Sequence, residues 1–389
     1  MTKIELMKIS FLYLMIGILL ASLSACKNQE DAQHSEIHFD QAKEASMKDL
    51  FSKTEVVPLE NFLSEANTLF VTKDYYIVSD SRNIIYVYNK DGKLLADSRN
   101  KIGKGPNEYS IVTAFSVNPF TKMIEVVTPQ HLLFYDIHFN LVKKLEIPTK
   151  PSNNNGENFL FYGHIYDFSD HLHALIPTSV SKEHNCVFIF DSSSSKITKQ
   201  IDLSEDYIAG INMQEHCFFD NGAATIGFVP PFFTGHFYAF DKKEQTISKL
   251  YTLDFGANGL KKSDVEHHGN NQEKLQSFLM STDKEIPVNV LETKNYIISI
   301  VKKGNDLHNW YSCFYNKSSH DIWKIASYTG KKKNLPIIKF TDQNHLYCAV
   351  DKATLSSLLD SMKEQGVNIE CNTNTPLQDD MFLIEYTLK

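Results

Sequence analysis

Apolar and polar positions along this chain follow a repeated two-part unit. At 84–95 an apolar run, Ile84-Ile85-Tyr86-Val87-Tyr88, meets Asn89, then a turn containing Gly92, then Leu94-Leu95. The unit returns at 131–145, 187–198, 237–248 and 311–323, each time with an aromatic just before Asp or Asn: Tyr135-Asp136, Phe190-Asp191, Phe240-Asp241 and Tyr315-Asn316. Short apolar runs bounded by turn residues predict strands joined in hairpins. A hairpin recurring about every 50 residues predicts a β-propeller.

The other apolar runs complete the blades. Blade one takes 68–71, 75–80 and the hairpin at 84–95. Blade two takes 113–117, 123–127, 132–136 and 141–147, and blade three 159–166, 171–176, 186–191 and 196–203. Blade four takes 217–219, 223–228, 237–241 and 246–253, and blade five 288–291, 296–301, 310–316 and 322–325. The last unit, 337–340, 346–350 and 382–386, is one strand short, while Thr54–Leu59 stands unassigned. Placing Thr54–Leu59 beside the C-terminal strand closes the ring, leaves no exposed edge there and gives six four-stranded blades. Five blades with a separate N-terminal domain is the rival count. Helical spacing of apolar residues within 260–281 and 353–364 predicts two short inserted helices, the second capped by Gly366.

Composition changes the picture little. The chain has 389 residues, 42% hydrophobic and 22% charged, as in ordinary globular proteins. A net charge of −8 argues against nucleic acid as a partner. The start is more informative. Lys3 and Lys8 precede an apolar run that ends in Leu23-Ser24-Ala25-Cys26, a secretory leader over residues 1–25. Small residues before Cys26 resemble the lipobox, with Cys26 as the lipidated first residue of the mature chain, carrying diacylglycerol and a palmitate-like acyl group. Lys27 in place of aspartate favours the outer membrane, with the domain facing the periplasm or the surface. Residues 26–53 then read as a lipidated, flexible tether and 54–389 as the propeller, so deleting 27–48 should be harmless. Cys186, Cys217, Cys313, Cys348 and Cys371 lack Cys-x-x-Cys spacing, so no zinc site or dithiol is indicated; the first four sit in strand-like runs, which points to buried free thiols, although an oxidising envelope would permit one disulfide.

The loop Gly103-Lys104-Gly105-Pro106-Asn107-Glu108-Tyr109 follows blade one. Together with the lipobox and the aromatic-Asp hairpins, it resembles the six-bladed β-propeller lipoproteins of bacterial envelopes, over nearly all the mature chain. Asn107 departs from the glycine common there. The resemblance implies a fold and an address, without a reaction. No helix follows the loop, so it is no phosphate cradle; Glu108 and Tyr109 are expected to anchor the crossing between blades.

Candidate chemistry is sparse. No nucleophile elbow or metalloprotease motif is present, and no cofactor is expected. His171-x-His173 has zinc-compatible spacing but no third ligand in sequence. Asp136, Asp191 and Asp241 are expected to stabilise turns. Loops between second and third strands and crossings between blades open on one face. That face would gather Arg82, Arg99, Lys104, Lys182, His184, Phe232, Phe233, His236, His308 and Trp310, aromatics and charges suited to a glycan or a peptide. The expected function is therefore a membrane-anchored binding module for a glycan, a peptide or an envelope protein. Two alternatives remain. One is a metal-dependent hydrolase of the propeller lactonase kind using Asn118, Glu215 and Asn289. The other is a rigid accessory subunit of an envelope complex.

Overall fold

The computed structural model describes residues 35–389 apart from 149–160, 179–184, 207, 209–213, 221–224, 267, 269–271, 305–308, 328–334 and 372–380. Six sheets form the six blades of a propeller, each with strands a to d from the axis outward. Blade 1 is Ala66–Val71, Tyr75–Asp80, Ile85–Asn89 and Leu94–Asp97. Blade 2 is Ala114–Val117, Ile124–Val127, His131–Tyr135 and Leu141–Glu146. Blade 3 is Tyr162–Asp167, Leu172–Pro177, Cys186–Asp191 and Lys196–Asp202. Blade 4 is Phe218–Phe219, Thr225–Phe228, His236–Asp241 and Thr246–Asp254. Blade 5 is Glu285–Glu292, Tyr296–Lys303, Trp310–Asn316 and Ile322–Ala326.

Blade 6 closes the ring as expected. Phe340–Thr341, His345–Asp351 and Met381–Leu388 are completed by Phe51–Pro58, which pairs antiparallel with the C-terminal strand from Phe382↔Pro58 to Leu388↔Phe51.

The repeat owes its regularity to a local device. In all five sequence-predicted hairpins the residue after the aromatic accepts a hydrogen bond from the amide two positions on. The acceptors are Asn89, Asp136, Asp191, Asp241 and Asn316. Such side chains mimic a turn's own backbone bonds and fix where strand c ends. At Gly92 the turn also passes so close to blade 6 that a Cβ would lie 1.8 Å from the Pro58 carbonyl oxygen. With φ at +79° there, only glycine fits without strain. The Gly103–Tyr109 loop behaves as an anchor. Gly105 N–H donates to the Glu108 carboxylate, and the buried Tyr109 hydroxyl donates to Ser98 Oγ and the Asn83 carbonyl.

Apolar side chains fill the seams between blades: Leu69 and Tyr347 between 1 and 6, Val87 and Val126 between 1 and 2, Phe134 and Phe188 between 2 and 3, Ile189 and Phe240 between 3 and 4. Cys186, Cys217, Cys313 and Cys348 are buried with free thiols. Helices stand at Lys262–Glu266, Gln272–Ser281 and Lys352–Glu364, with Gly366 at φ +69° ending the last.

The expected tether over 26–53 is corrected from Ser35 onward. Ser35–His38 adds a parallel fifth strand to blade 4, Lys43–Glu44 adds one to blade 5, and Met47–Leu50 is a helical turn leading into Phe51. Ile37, Phe39, Met47 and Leu50 are buried in the cluster that joins blades 4, 5 and 6. The propeller domain therefore begins near Ser35 rather than Thr54. A few apolar anchors and borrowed sheet edges order a segment whose overall polarity suggested none. No helix among the described residues is long and apolar enough to cross a membrane.

Candidate functional site

Inner strands of a propeller face one another around the axis, and here they leave a cavity of about 790 Å³. All six blades contribute to its wall, and the inner strands of blades 1, 3 and 5 are bulged, which re-aims side chains along them. Rings of Phe70, Phe115, Tyr166 and Phe218 alternate around the cavity with hydroxyls and amides such as Thr68, Ser116 and Gln343. Among the described residues the wall contains six carboxylates, from Asp80, Asp167, Glu215, Asp220, Glu292 and Asp342, and no lysine or arginine.

A short segment of blade 4 reaches across this cavity. The inner strand of that blade is only two residues long, and Gln214–Cys217 precedes it as irregular chain. Gln214 takes the place of strand pairing with blade 5: its amide accepts from Val290 N–H at 3.0 Å and donates to the Val290 carbonyl at 2.6 Å. His216 Nε2 lies 2.9 Å from the Leu69 carbonyl of blade 1, the blade opposite, with its ring edge-on to Phe70 at 4.8 Å. The Glu215 backbone hydrogen-bonds His164 of blade 3. Gln214–Cys217 is thus a crossbar tied to blades 1, 3 and 5.

Most carboxylates of the wall are matched. Asp80 holds Arg82, Asp167 holds His173, Asp220 holds Lys242, Glu292 holds Lys317, and Asp342 accepts from Tyr347. The Glu215 carboxyl is the exception, with no hydrogen bond among the described residues. Burial pushes it up to about 7, Lys339 opposes that rise and Glu65 adds to it. Burial also lowers His164 to about 4, with His216 adding to the effect, and lowers His216 to about 4. At neutral pH the centre therefore offers two neutral imidazoles and a carboxyl that keeps its proton to unusually high pH.

The loop-face residues fall into five groups. Arg82 and Arg99 come together around Tyr86: Arg82 donates to its hydroxyl and Arg99 stacks 6.0 Å from its ring, each also paired with an aspartate. Lys104 is exposed on the anchored loop. Phe232 and Phe233, expected to meet a ligand, are corrected: at 4% and 8% exposed they are core residues between blades. His236 and Trp310 open their strands half-buried, Trp310 against the apolar cluster of blades 4–6. Lys182, His184 and His308 lie outside the described residues.

The hydrolase set does not converge. Glu215 lines the cavity, but Asn118 donates to Glu125 and the Ser169 carbonyl, and Asn289 sits in a separate pocket of about 30 Å³ beside Phe232. Sequence reasoning missed His164 and His216. A single histidine beside a short inner strand carries no periodic signal, and only the ring topology gives it a role.

Fold and cavity together define a six-bladed propeller with an occluded, acidic axial chamber. The chain belongs to the family described as Domain of unknown function, DUF4934, whose profile matches residues 34–375. Among solved structures it is similar to a Bacteroides fragilis protein classed as a candidate exported protein, at 15% identity and TM-score 0.65, covering 91% of this chain and 100% of that one. It is also similar to a DUF4221 family member from Bacteroides vulgatus, at 13% identity and TM-score 0.54, covering 87% and 97%. No curated protein matches the chain.

Proposed function

We propose that this chain is an envelope lipoprotein, anchored in the outer membrane through Cys26, that binds a small uncharged glycan in its axial chamber. The single observation behind the ligand class is the chamber wall: aromatic faces, hydroxyls, neutral histidines and the unmatched Glu215 carboxyl, with no lysine or arginine among the described residues. Aromatic faces suit the C–H surface of a sugar, and neutral donors and acceptors suit its hydroxyls. An anion would face the six wall carboxylates. A chamber of about 790 Å³ suits a ligand of one to a few rings. The address rests on the lipobox that ends at Cys26. A structural neighbour classed as exported agrees with it.

Glycan-array screening followed by calorimetry tests the ligand. Binding should weaken roughly tenfold or more in Glu215→Leu, the loss expected for one buried hydrogen bond. A screen without any bound glycan, or equal affinity in the variant, refutes the reading. For the address, Cys26→Ser should release the protein from the outer-membrane fraction; unchanged fractionation would remove the anchor from the proposal.

A further inference from the structure

At the seam of blades 2 and 3, two cross-strand pairs face one another. Ser116 lies opposite Glu125 in blade 2, and Asp167 lies opposite His173 in blade 3. Glu125 and His173 are fully buried and Asp167 nearly so. One oxygen of each carboxylate has its own donor: Asn118 Nδ2 gives a hydrogen bond to Glu125 Oε1 at 2.8 Å, and Ser116 Oγ gives one to Asp167 Oδ2 at 2.8 Å. The two remaining oxygens turn to a single atom, His173 Nδ1, at 2.7 Å for Asp167 Oδ1 and 3.1 Å for Glu125 Oε2. That nitrogen carries at most one hydrogen, and Glu125 Oε2 is left buried without a hydrogen bond. The Phe134 and Phe190 rings flank the imidazole, so no further donor approaches from their side.

We propose that Glu125, Asp167 and His173 hold one divalent transition-metal ion of the zinc, iron or manganese kind. One ligand atom from each residue lies within 4.8 Å of the others. Once bound through Nδ1 the imidazole is neutral, and the two carboxylates then balance the charge of a divalent ion at a buried place. Nitrogen and carboxylate donors suit these metals, whereas three ligands are too few for calcium, which takes 6–8 oxygens. Asn118 and Ser116 act as the outer partners that fix ligand orientation. Bonds of about 2.0–2.2 Å would need the 2.7 Å contact to open by roughly half an ångström. Ser116 and Asp167 also line the axial chamber, the route by which an ion and a completing water would enter. Of the His171-x-His173 pair singled out in the sequence, only His173 takes part; His171 pairs with Asp170 outside the seam.

The full chain, purified in detergent and stripped with chelator, should be dialysed against Zn²⁺, Fe²⁺, Mn²⁺ or Ca²⁺, then assayed by elemental analysis and thermal melting. The expected result is about one tightly held equivalent of at least one transition metal, with a higher Tm, and loss of both in Glu125→Gln and His173→Gln. Wild-type protein that retains no transition metal and melts unchanged overturns the proposal without reference to any variant. A folded Glu125→Gln that keeps its equivalent overturns it too, because the ion would then sit elsewhere.

Discussion

Blades 4–6 and blades 1–3 solve the problem of a sheet edge in different ways. Each of blades 4, 5 and 6 takes a fifth, parallel strand: Ser35–His38, Lys43–Glu44 and Ile369–Cys371. Blades 1–3 end at Leu94–Asp97, Leu141–Glu146 and Lys196–Asp202, to which no further strand is added among the described residues. Those outer strands rely on charge and brevity instead. Lys144, Glu146 and Lys196 project into solvent, and the strand of blade 1 has four residues. The difference teaches that a polar segment can be structural when it lends its backbone to an edge and a few apolar side chains to a seam. Charge makes an edge safe; a strap makes it part of the core.

The largest effect should come from removing the N-terminal segment in steps. Deleting 27–34 should leave the melting temperature unchanged. Deleting 27–50 removes Ile37, Phe39, Met47 and Leu50 from the core, up to roughly 6–12 kcal/mol of burial, and should lower Tm steeply. Deleting through Pro58 also opens the ring and should abolish folding. Equal Tm for the first two proteins would mean the strap contributes nothing. Next in size is a contrast of point changes: Phe39→Ala should cost about 3–5 kcal/mol in urea unfolding, and Val142→Ala on the exposed edge of blade 2 less than about 0.5. Comparable losses would erase the distinction between the two halves.

A smaller effect should appear as association. Lys144→Val with Glu146→Val would leave an apolar stripe with Val142 on an open edge, and light scattering should detect oligomers at unchanged monomer stability. Monomers at high concentration would show that charge is not what protects that edge. The smallest effect tests the crossbar that ties blade 4 to blade 1. Glu215 is raised, so the folded state binds its proton more tightly. Its contribution is full below pH 4.5 and lost as pH rises through about 7. His164 and His216 are lowered, so their contribution is full above pH 6.5 and lost as pH falls toward 4. Glu215→Gln should therefore gain stability relative to wild type between pH 4.5 and 7.5. Parallel pH profiles would place Glu215 outside the crossbar's energetics.

Much of the ring was legible because its signal is local. An aromatic, an Asp or Asn and a tight turn lie within a few residues, and Asn89, Asp136 and Asp191 fix the strand ends themselves. The strap was misread because additions as short as Lys43–Glu44 are too brief to show any period. Phe232-Phe233 was placed outward because an apolar pair in a loop does not reveal which way it folds. The site was less legible still. Glu215 could be placed near an inner strand, yet its neighbours His164 and Lys339 lie in blade 3 and beside blade 6, and sequence spacing carries no trace of that meeting.

Ring closure by Phe51–Pro58 also orders events in time. A chain made from its N-terminus presents this strand early, but its partner, Met381–Leu388, emerges only after blades 1–5. The strap must likewise await Thr246–Asp254 and Ile322–Ala326. Such distant pairings are intrinsically slow to form and leave apolar surface exposed meanwhile. Every intermediate on the way therefore holds an unpaired strand at its start, and a product cut before Met381–Leu388 has no closed state to reach.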